Sequence, residues 1–209
     1  MEDVQQSARR RPGRPSARPA VRQAFVELLR VRSFHDVTVD EIVGRAGLSR
    51  MAFYAHFQGK SELLKEIAAE TAAEFAEAGK GWLAGSMADD LTPEEEVHRA
   101  LEELLATFAE NGPIVRAVVD ASTVDDDVAR MWDGVIDGFV EAVATRHRSD
   151  GASGHARDVD SIATARALCL MVERTLYRAA VRGVGPTAAE ATALGDIWLH
   201  ALYPDTDRA

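Results

Sequence analysis

The chain of 209 residues has a single cysteine, Cys169, which excludes an internal disulfide framework and fits a reducing compartment. No apolar run approaches the ~18 residues that a spanning helix requires. No hydrophobic segment follows the N-terminal arginines. A soluble, cytoplasmic protein without a membrane partner is therefore expected. The sequence also lacks a glycine-rich phosphate loop, a β-period and an internal repeat. Its six histidines are scattered, and none forms a spacing that resembles a metal motif. Cys169 sits in an apolar stretch, as filler rather than nucleophile. No catalytic residue, metal or cofactor is expected.

Positive charge is scarce overall, with a formal net charge of −10. Its distribution matters more than its total. Residues 1–66 hold 12 Lys and Arg against 8 Asp and Glu, whereas residues 67–209 hold 12 against 26. A basic N-terminal end can meet phosphates while an acidic body stays soluble and repels nucleic acid elsewhere.

The most informative run lies in the basic end, Thr38 to Lys65, TVDEIVGRAGLSRMAFYAHFQGKSELLK. Thr38 with Glu41 spells a capping box, and Val39, Ile42, Val43 and Ala46 follow at helical spacing. Gly47 suits the left-handed position that ends a helix, and Ser49 suits the N-cap of the next. Phe53 and Phe57, one turn apart, pin that second helix inward. Met51, Ala52 and Ala55 then face outward, with Arg50 and Tyr54 on one flank and His56 on the other. A slender strip flanked by donors suits the major groove, which just admits one α-helix. Tyr54, His56 and Lys60 have the lengths to reach phosphate oxygens. The pattern predicts a helix-turn-helix with a recognition helix over 49–56; a plain αα-hairpin is the alternative.

The run GLSRMAFYAHFQGKSELL resembles the DNA-binding signature of the tetracycline-repressor (TetR) family of bacterial regulators. The matching positions are Gly47, Ser49, Tyr54-Ala55-His56-Phe57 and Lys60. The resemblance covers about residues 20–66. It implies an all-α, TetR-like fold of about nine helices, with a three-helix DNA-binding head and a C-terminal ligand-binding and dimerisation domain. The DNA-binding set is then Arg11, Arg14, Thr38, Ser49, Arg50, Met51, Ala52, Tyr54, His56 and Lys60.

The boundaries expected are an arm over 1–18, a head over 19–66 and a body over 67–209. The arm is proline-rich and arginine-rich. Its Arg11-Pro12-Gly13-Arg14-Pro15 string is similar to an AT-hook core that lies in a narrow minor groove, or else is a solvated basic tail. Helix 1 follows Pro19, with Val21, Ala24, Phe25, Leu28 and Leu29 as its stripe. A helix capped by Ser61 continues toward Leu83. Thr92 and Glu95 cap another that Asn111-Gly112-Pro113 breaks, leaving a short apolar helix over 114–119. Asp125 to about Arg146 is helical, residues 148–155 form a loop, and two last helices span 162–181 and 188–203, the latter capped by Thr187 and Glu190.

In the body, Phe108, Trp132, Phe139, Tyr177 and Trp198 fall on four of these helices, where they line an apolar cavity or fill a plain core. The segments LMVERTLYRA (170–179) and DIWLHALY (196–203) resemble the ethionamide-regulator branch of the same family. That resemblance implies a hydrophobic ligand tunnel lined by Val97, Leu101, Leu104, Phe108, Trp132, Ile136, Phe139, Cys169, Val172, Leu176, Tyr177 and Trp198. The branch's orienting asparagines fall at Cys169 and Val172 and one tunnel tryptophan at Val97, so a more apolar or differently held effector follows. Glu173 is then the polar anchor, or pairs with Arg174 or Arg178 at the surface. The family also implies a homodimer through residues 160–182 and 188–203. The expected protein is a repressor that binds a palindromic double-stranded DNA operator and leaves it on meeting a small hydrophobic effector. The alternative is an architectural DNA-binding protein that needs no ligand.

Overall fold

The computed structural model describes residues 17–85 and 91–204, so Arg11 and Arg14 lie outside the described residues. Among these, all regular structure is helical. The elements are α1 (Ala17–Leu29), α2 (Val39–Ala46), α3 (Arg50–Tyr54), α4 (Lys60–Ala78), α5 (Lys80–Leu83), α6 (Pro93–Ser122), α7 (Asp126–Ala152), α8 (Ser161–Arg182) and α9 (Ala188–Leu202). The three capping boxes written in the sequence all form, at Thr38–Glu41, Thr92–Glu95 and Thr187–Glu190. In each the threonine hydroxyl accepts the N3 amide while the glutamate accepts the threonine amide, satisfying two donors that a helix start leaves open.

Nine helices are present among the described residues, but partitioned differently from the sequence expectation. The helix expected from Ser61 to about Leu83 divides at Gly79 into α4 and α5. Ser61 is not its cap: Gly59 occupies that position, and the Ser61 hydroxyl bonds Asp125 instead. Conversely, Asn111-Gly112-Pro113 does not break α6, which runs 30 residues with Pro113 inside it. An interior proline costs roughly 3 kcal/mol. The residues just past it, Ile114, Val115, Ala117, Val118 and Ala121, are all buried. Burying even two side chains of that size offsets the loss, at roughly 1.5–3 kcal/mol each. The loop expected at 148–155 begins only after Ala152. Arg146 Nε donates to Asp150 at 2.8 Å, Tyr203 donates its hydroxyl to the same carboxylate at 2.8 Å, and buried His147 meets Ser161 Oγ at 2.8 Å. A stretch that reads as polar punctuation is thereby held as a last helical turn.

The apolar interior forms two clusters. One gathers Phe25, Leu29, Phe34, Ile42, Phe53, Phe57 and Leu64 from α1–α4 and the connections after α1 and α3, and it is closed by Ile114, Ala117, Val118 and Ala121 of α6 and Val128 of α7. The other lies between α4, α5, α6, α7, α8 and α9 and includes Phe75, Trp82, Val97, Phe108, Val143, Leu168, Val172 and Trp198. Helix α6 contributes to both, with Val97, Leu101, Phe108 and Val115 in the second and Ile114, Ala117, Val118 and Ala121 in the first. No helix among the described residues is long and apolar enough to cross a membrane.

If α6 closes the N-terminal core, truncating Ile114 is expected to be expensive. Ile114→Ala should lower unfolding free energy by about 2–5 kcal/mol in a urea titration. A loss under about 1 kcal/mol would mean that α1–α4 hold their core without α6.

Candidate functional site

The first candidate site is the outer surface of α2 and α3. Gly47 ends α2 in the left-handed conformation (φ 66°), and its amide and that of Leu48 return to carbonyls of the last turn. Ser49 Oγ accepts the Ala52 amide at 3.2 Å and starts α3. The helix is shorter than the expected 49–56, but Ala55 and Phe57 amides still bond one turn back and carry the chain round to Phe57. Phe53 and Phe57 are buried with ring centroids 5.6 Å apart, which fixes the opposite face outward. Met51 is 83% exposed and Tyr54 49%, while Arg50, Ala55 and His56 are exposed and Ala52 is half-buried. Arg50 donates to Asp40 of α2 at 3.1 Å, and its guanidinium is held above the ordinary arginine value first by a hydrogen bond with Tyr54 and then by Asp40. Thr38 is exposed, but its hydroxyl is committed to the cap, accepting from the Glu41 amide at 3.3 Å and donating to Glu41 Oε2 at 2.9 Å.

Lys60 departs from its expected role. Its ammonium turns inward and donates to the carbonyls of Phe34 at 2.7 Å, His35 at 3.2 Å and Val37 at 2.7 Å, above the Phe34 ring at 4.5 Å. Partial burial pushes the group below the ordinary lysine value. All three ammonium donors are used on the loop between α1 and α2, so no proton is left for a phosphate. Lys60 thus staples that loop.

Polar ties join this head to the body. Arg116 of α6 donates to the carbonyls of Leu29 and Arg32, each at 2.6 Å, satisfying the open end of α1. Lys65 lies 3.9 Å from Asp127, and Ser61 bonds Asp125. Within the head, Arg18 and Arg22 pair with Glu66, Arg22 also with Glu70, Arg32 with Glu41, and Arg45 with Glu27 at 2.8 Å.

The second candidate site is a cavity of about 100 Å³ in the body. Leu104, Trp132, Ile136, Phe139, Cys169, Val172, Glu173, Leu176 and Trp198 line it, joined by Phe75, Val115 and Val143. A second chamber of about 60 Å³ adjoins it, sharing Phe75, Leu104, Phe139, Val143 and Trp198 and adding Val97, Leu101 and Trp82. Two expected lining residues fall elsewhere. Phe108 is packed in the core beneath Gly112, where an added Cβ would lie 3.0 Å from its ring. Tyr177 donates its hydroxyl to Asp120 of α6 at 2.9 Å and borders neither chamber. Burial raises the Cys169 thiol to about 11, so it is a neutral apolar wall atom at neutral pH. Glu173 pairs with neither Arg174 nor Arg178. Its Oε1 faces Trp132 Nε1 at 3.4 Å, while Arg174 stacks on Tyr177. Phe75, Val115, Val143 and Trp82 were visible only as apolar helix positions; nothing in the spacing distinguished a cavity wall from a core.

A three-helix head with an exposed α3 and a hollow helical body is the layout of a one-component DNA-binding regulator. Residues 23–67 match the family described as bacterial regulatory proteins, tetR family, and residues 97–204 match the C-terminal domain of the transcriptional regulator EthR. The HTH-type transcriptional regulator EthR of Mycolicibacterium smegmatis is 29% identical over 202 residues, covering 91% of each chain. That of Mycobacterium tuberculosis H37Rv is 30% identical over 205 residues, covering 91% of this chain and 92% of the relative. The fold is shared with a regulatory protein TetR from Rhodobacter sphaeroides (TM-score 0.68, 21% identity, 89% of this chain and 98% of that one). It is shared too with a TetR-family regulator from Syntrophomonas wolfei (TM-score 0.72, 13% identity, 88% and 94%). The chain belongs to the TetR family of bacterial transcriptional regulators, near EthR. The family and these relatives are regulators, not enzymes.

The inward Lys60 gives an expected outcome that a phosphate contact would not. Lys60→Met should destabilise the head by about 1–3 kcal/mol, the cost of stranding polar groups. The salt dependence of DNA binding should keep its slope. A slope flattened by about 0.9 would restore Lys60 to the phosphate backbone.

Proposed function

We propose that the protein is a homodimeric repressor that holds a palindromic operator in its ligand-free form and releases it when a small, largely hydrophobic effector enters the body. Residues 1–18 serve as an auxiliary arm, 19–66 as the reading domain and 67–209 as the effector and dimerisation domain. The observation that carries this reading is the position of Trp132. Its indole lines the cavity and also packs against the core of the head. A ligand that displaces Trp132 acts on the head directly.

Size gives the direction of the effect. A cavity of about 100 Å³ is well below the ~300–1,000 Å³ that drug-sized ligands occupy. A ligand of that size must part α6, α7 and α8 to enter, and so binds better to an expanded state than to the closed one. That difference in affinity is what allows it to shift the population. The moving parts include α6, whose Arg116 holds the end of α1.

Dimerisation is supported by the outer faces of α8 and α9. Leu170, Val181 and Ile197 are 47%, 48% and 47% exposed, beside exposed Ala163, Ala167 and Ala193. Small residues between larger apolar ones suit close helix packing around a two-fold axis. A two-fold dimer places its α3 helices about one helical turn of DNA apart, ~34 Å, which matches half-sites of a palindrome.

Titration of the purified protein against labelled promoter fragments flanking its own gene, at two salt concentrations and with excess random DNA, tests the reading. Tight binding that survives competitor is expected, with loss of the complex on adding the effector. Binding that collapses under competitor would favour an architectural role carried by the basic arm. Arg50→Ala should weaken operator binding about 10- to 100-fold, the equivalent of losing about 1–3 kcal/mol of groove contact. Sedimentation should still report a dimer; a variant that unfolds would show the side chain to be structural.

A further inference from the structure

We propose that the effector is a lipophilic cation, an ammonium or amidinium head on an apolar tail, whose head pairs with Glu173 at the mouth of the cavity. This rests on the effector reading above and specifies its ligand. Glu173 borders both the inner cavity and an outer groove between α6, α7 and α8 of about 530 Å³. Trp132 and Ile136 border both spaces as well, so these residues mark the mouth. Beyond them the inner walls are apolar side chains only.

The charge at that mouth is unbalanced. Glu173, Asp133 and Asp137 line the groove against one cation, Arg166, which is already committed to Asp137 at 2.8 Å. Among the described residues no lysine or arginine pairs with Glu173. Among the described residues its hydrogen-bond partner is Trp132 Nε1 at 3.4 Å, longer than a strong hydrogen bond, which leaves the half-buried carboxylate open to solvent in the groove. A ligand threading past Glu173 into the cavity removes that water. With a neutral ligand the carboxylate would be stripped without compensation, and with an anionic one it would also be repelled. A cation replaces the lost hydration with an ion pair. The same wall that excludes anions therefore selects for positive charge. An apolar tail then fills the space toward Trp198.

The test compares a matched pair of probes, n-octyltrimethylammonium and n-octanol, on the full-length protein below their aggregation concentrations. Tryptophan fluorescence and calorimetry read binding, since Trp132 and Trp198 line the cavity. The ammonium probe is expected to bind about tenfold or more tightly than the alcohol. Glu173→Gln should remove that preference while leaving octanol affinity unchanged or improved. Excess tetramethylammonium, which carries the charge without the tail, should not reproduce the signal. If both probes bind equally to the native protein, the cation proposal fails and the hydrophobic effector reading stands. If the ammonium preference survives in Glu173→Gln, the charge is being read elsewhere on the acidic surface and the proposal fails. If neither probe binds, both readings fall.

Discussion

The constraint on which the structure depends is that the DNA-reading head cannot close its own core. Helices α1 to α3 and the start of α4 amount to about 50 residues, a size at which burial is marginal. The missing wall is the C-terminal half of α6, where Ile114, Ala117, Val118 and Ala121 complete a cluster centred on Phe25, Phe53 and Phe57. Arg116 lies on the same stretch and satisfies carbonyls at the end of α1. Apolar burial and hydrogen bonding thus place the same joint in the same place. Continuity of α6 through Pro113 keeps Leu104 and Val115, which line the cavity, on one rod with Ile114, Val118 and Ala121, which support the head.

A helix shared by two cores makes each sensitive to the other. Close-packed interiors respond to an inserted group by shifting whole elements rather than by local yielding. The head also touches α7 through Val128, Met131 and Trp132, and the start of α4 is held to the start of α7 by Ser61–Asp125 and Lys65–Asp127. In the proposed mechanism the effector acts through the walls of the cavity. Parting the cavity walls moves α6 and α7, and these carry the head with them. Tyr177–Asp120 extends the same connection to α8, on the face proposed for the dimer. Tyr177 therefore braces the frame, a role that an apolar spacing pattern gives no reason to expect.

Legibility in the sequence followed the range of the interaction. The turn between α2 and α3 was readable because its determinants are local: a capping box, Gly47 in a left-handed position, Ser49 at an N-cap and Phe53 with Phe57 a turn apart. Errors arose where distant partners overrule local preference. Residues 148–152 read as a loop because they are polar, yet Asp150 is held by Arg146 and by Tyr203 from the far end of the chain. Lys60 read as a surface cation because length and charge allowed it, but the loop carbonyls it serves lie more than 20 positions earlier. The cavity was half legible. Trp132, Phe139 and Trp198 stood out as scarce aromatics, whereas Phe75 and Val143 became wall residues only through packing. Glu173 had two candidate partners in sequence, Arg174 and Arg178, and the fold turns it to Trp132 instead.

Charge pairing sets how such a head can bind DNA. Most of its described arginines face carboxylates: Arg18 and Arg22 with Glu66, Arg32 with Glu41, Arg45 with Glu27 and Arg50 with Asp40. Exposed pairs of this kind contribute roughly 0–1 kcal/mol each, so Arg50 can be surrendered by Asp40 to a base or phosphate at little cost. Until then Asp40 lowers the field that would otherwise attract any duplex. A head with its cations so matched gains less from non-specific phosphate attraction than its formal charge implies. In the proposed dimer, occupancy of an operator depends on two heads docking together, because the second contact is made at the high effective concentration set by the first. On that proposal a small change in head separation suffices to release DNA, and α6 and Trp132, which touch both the head core and the cavity, lie where such a change would start.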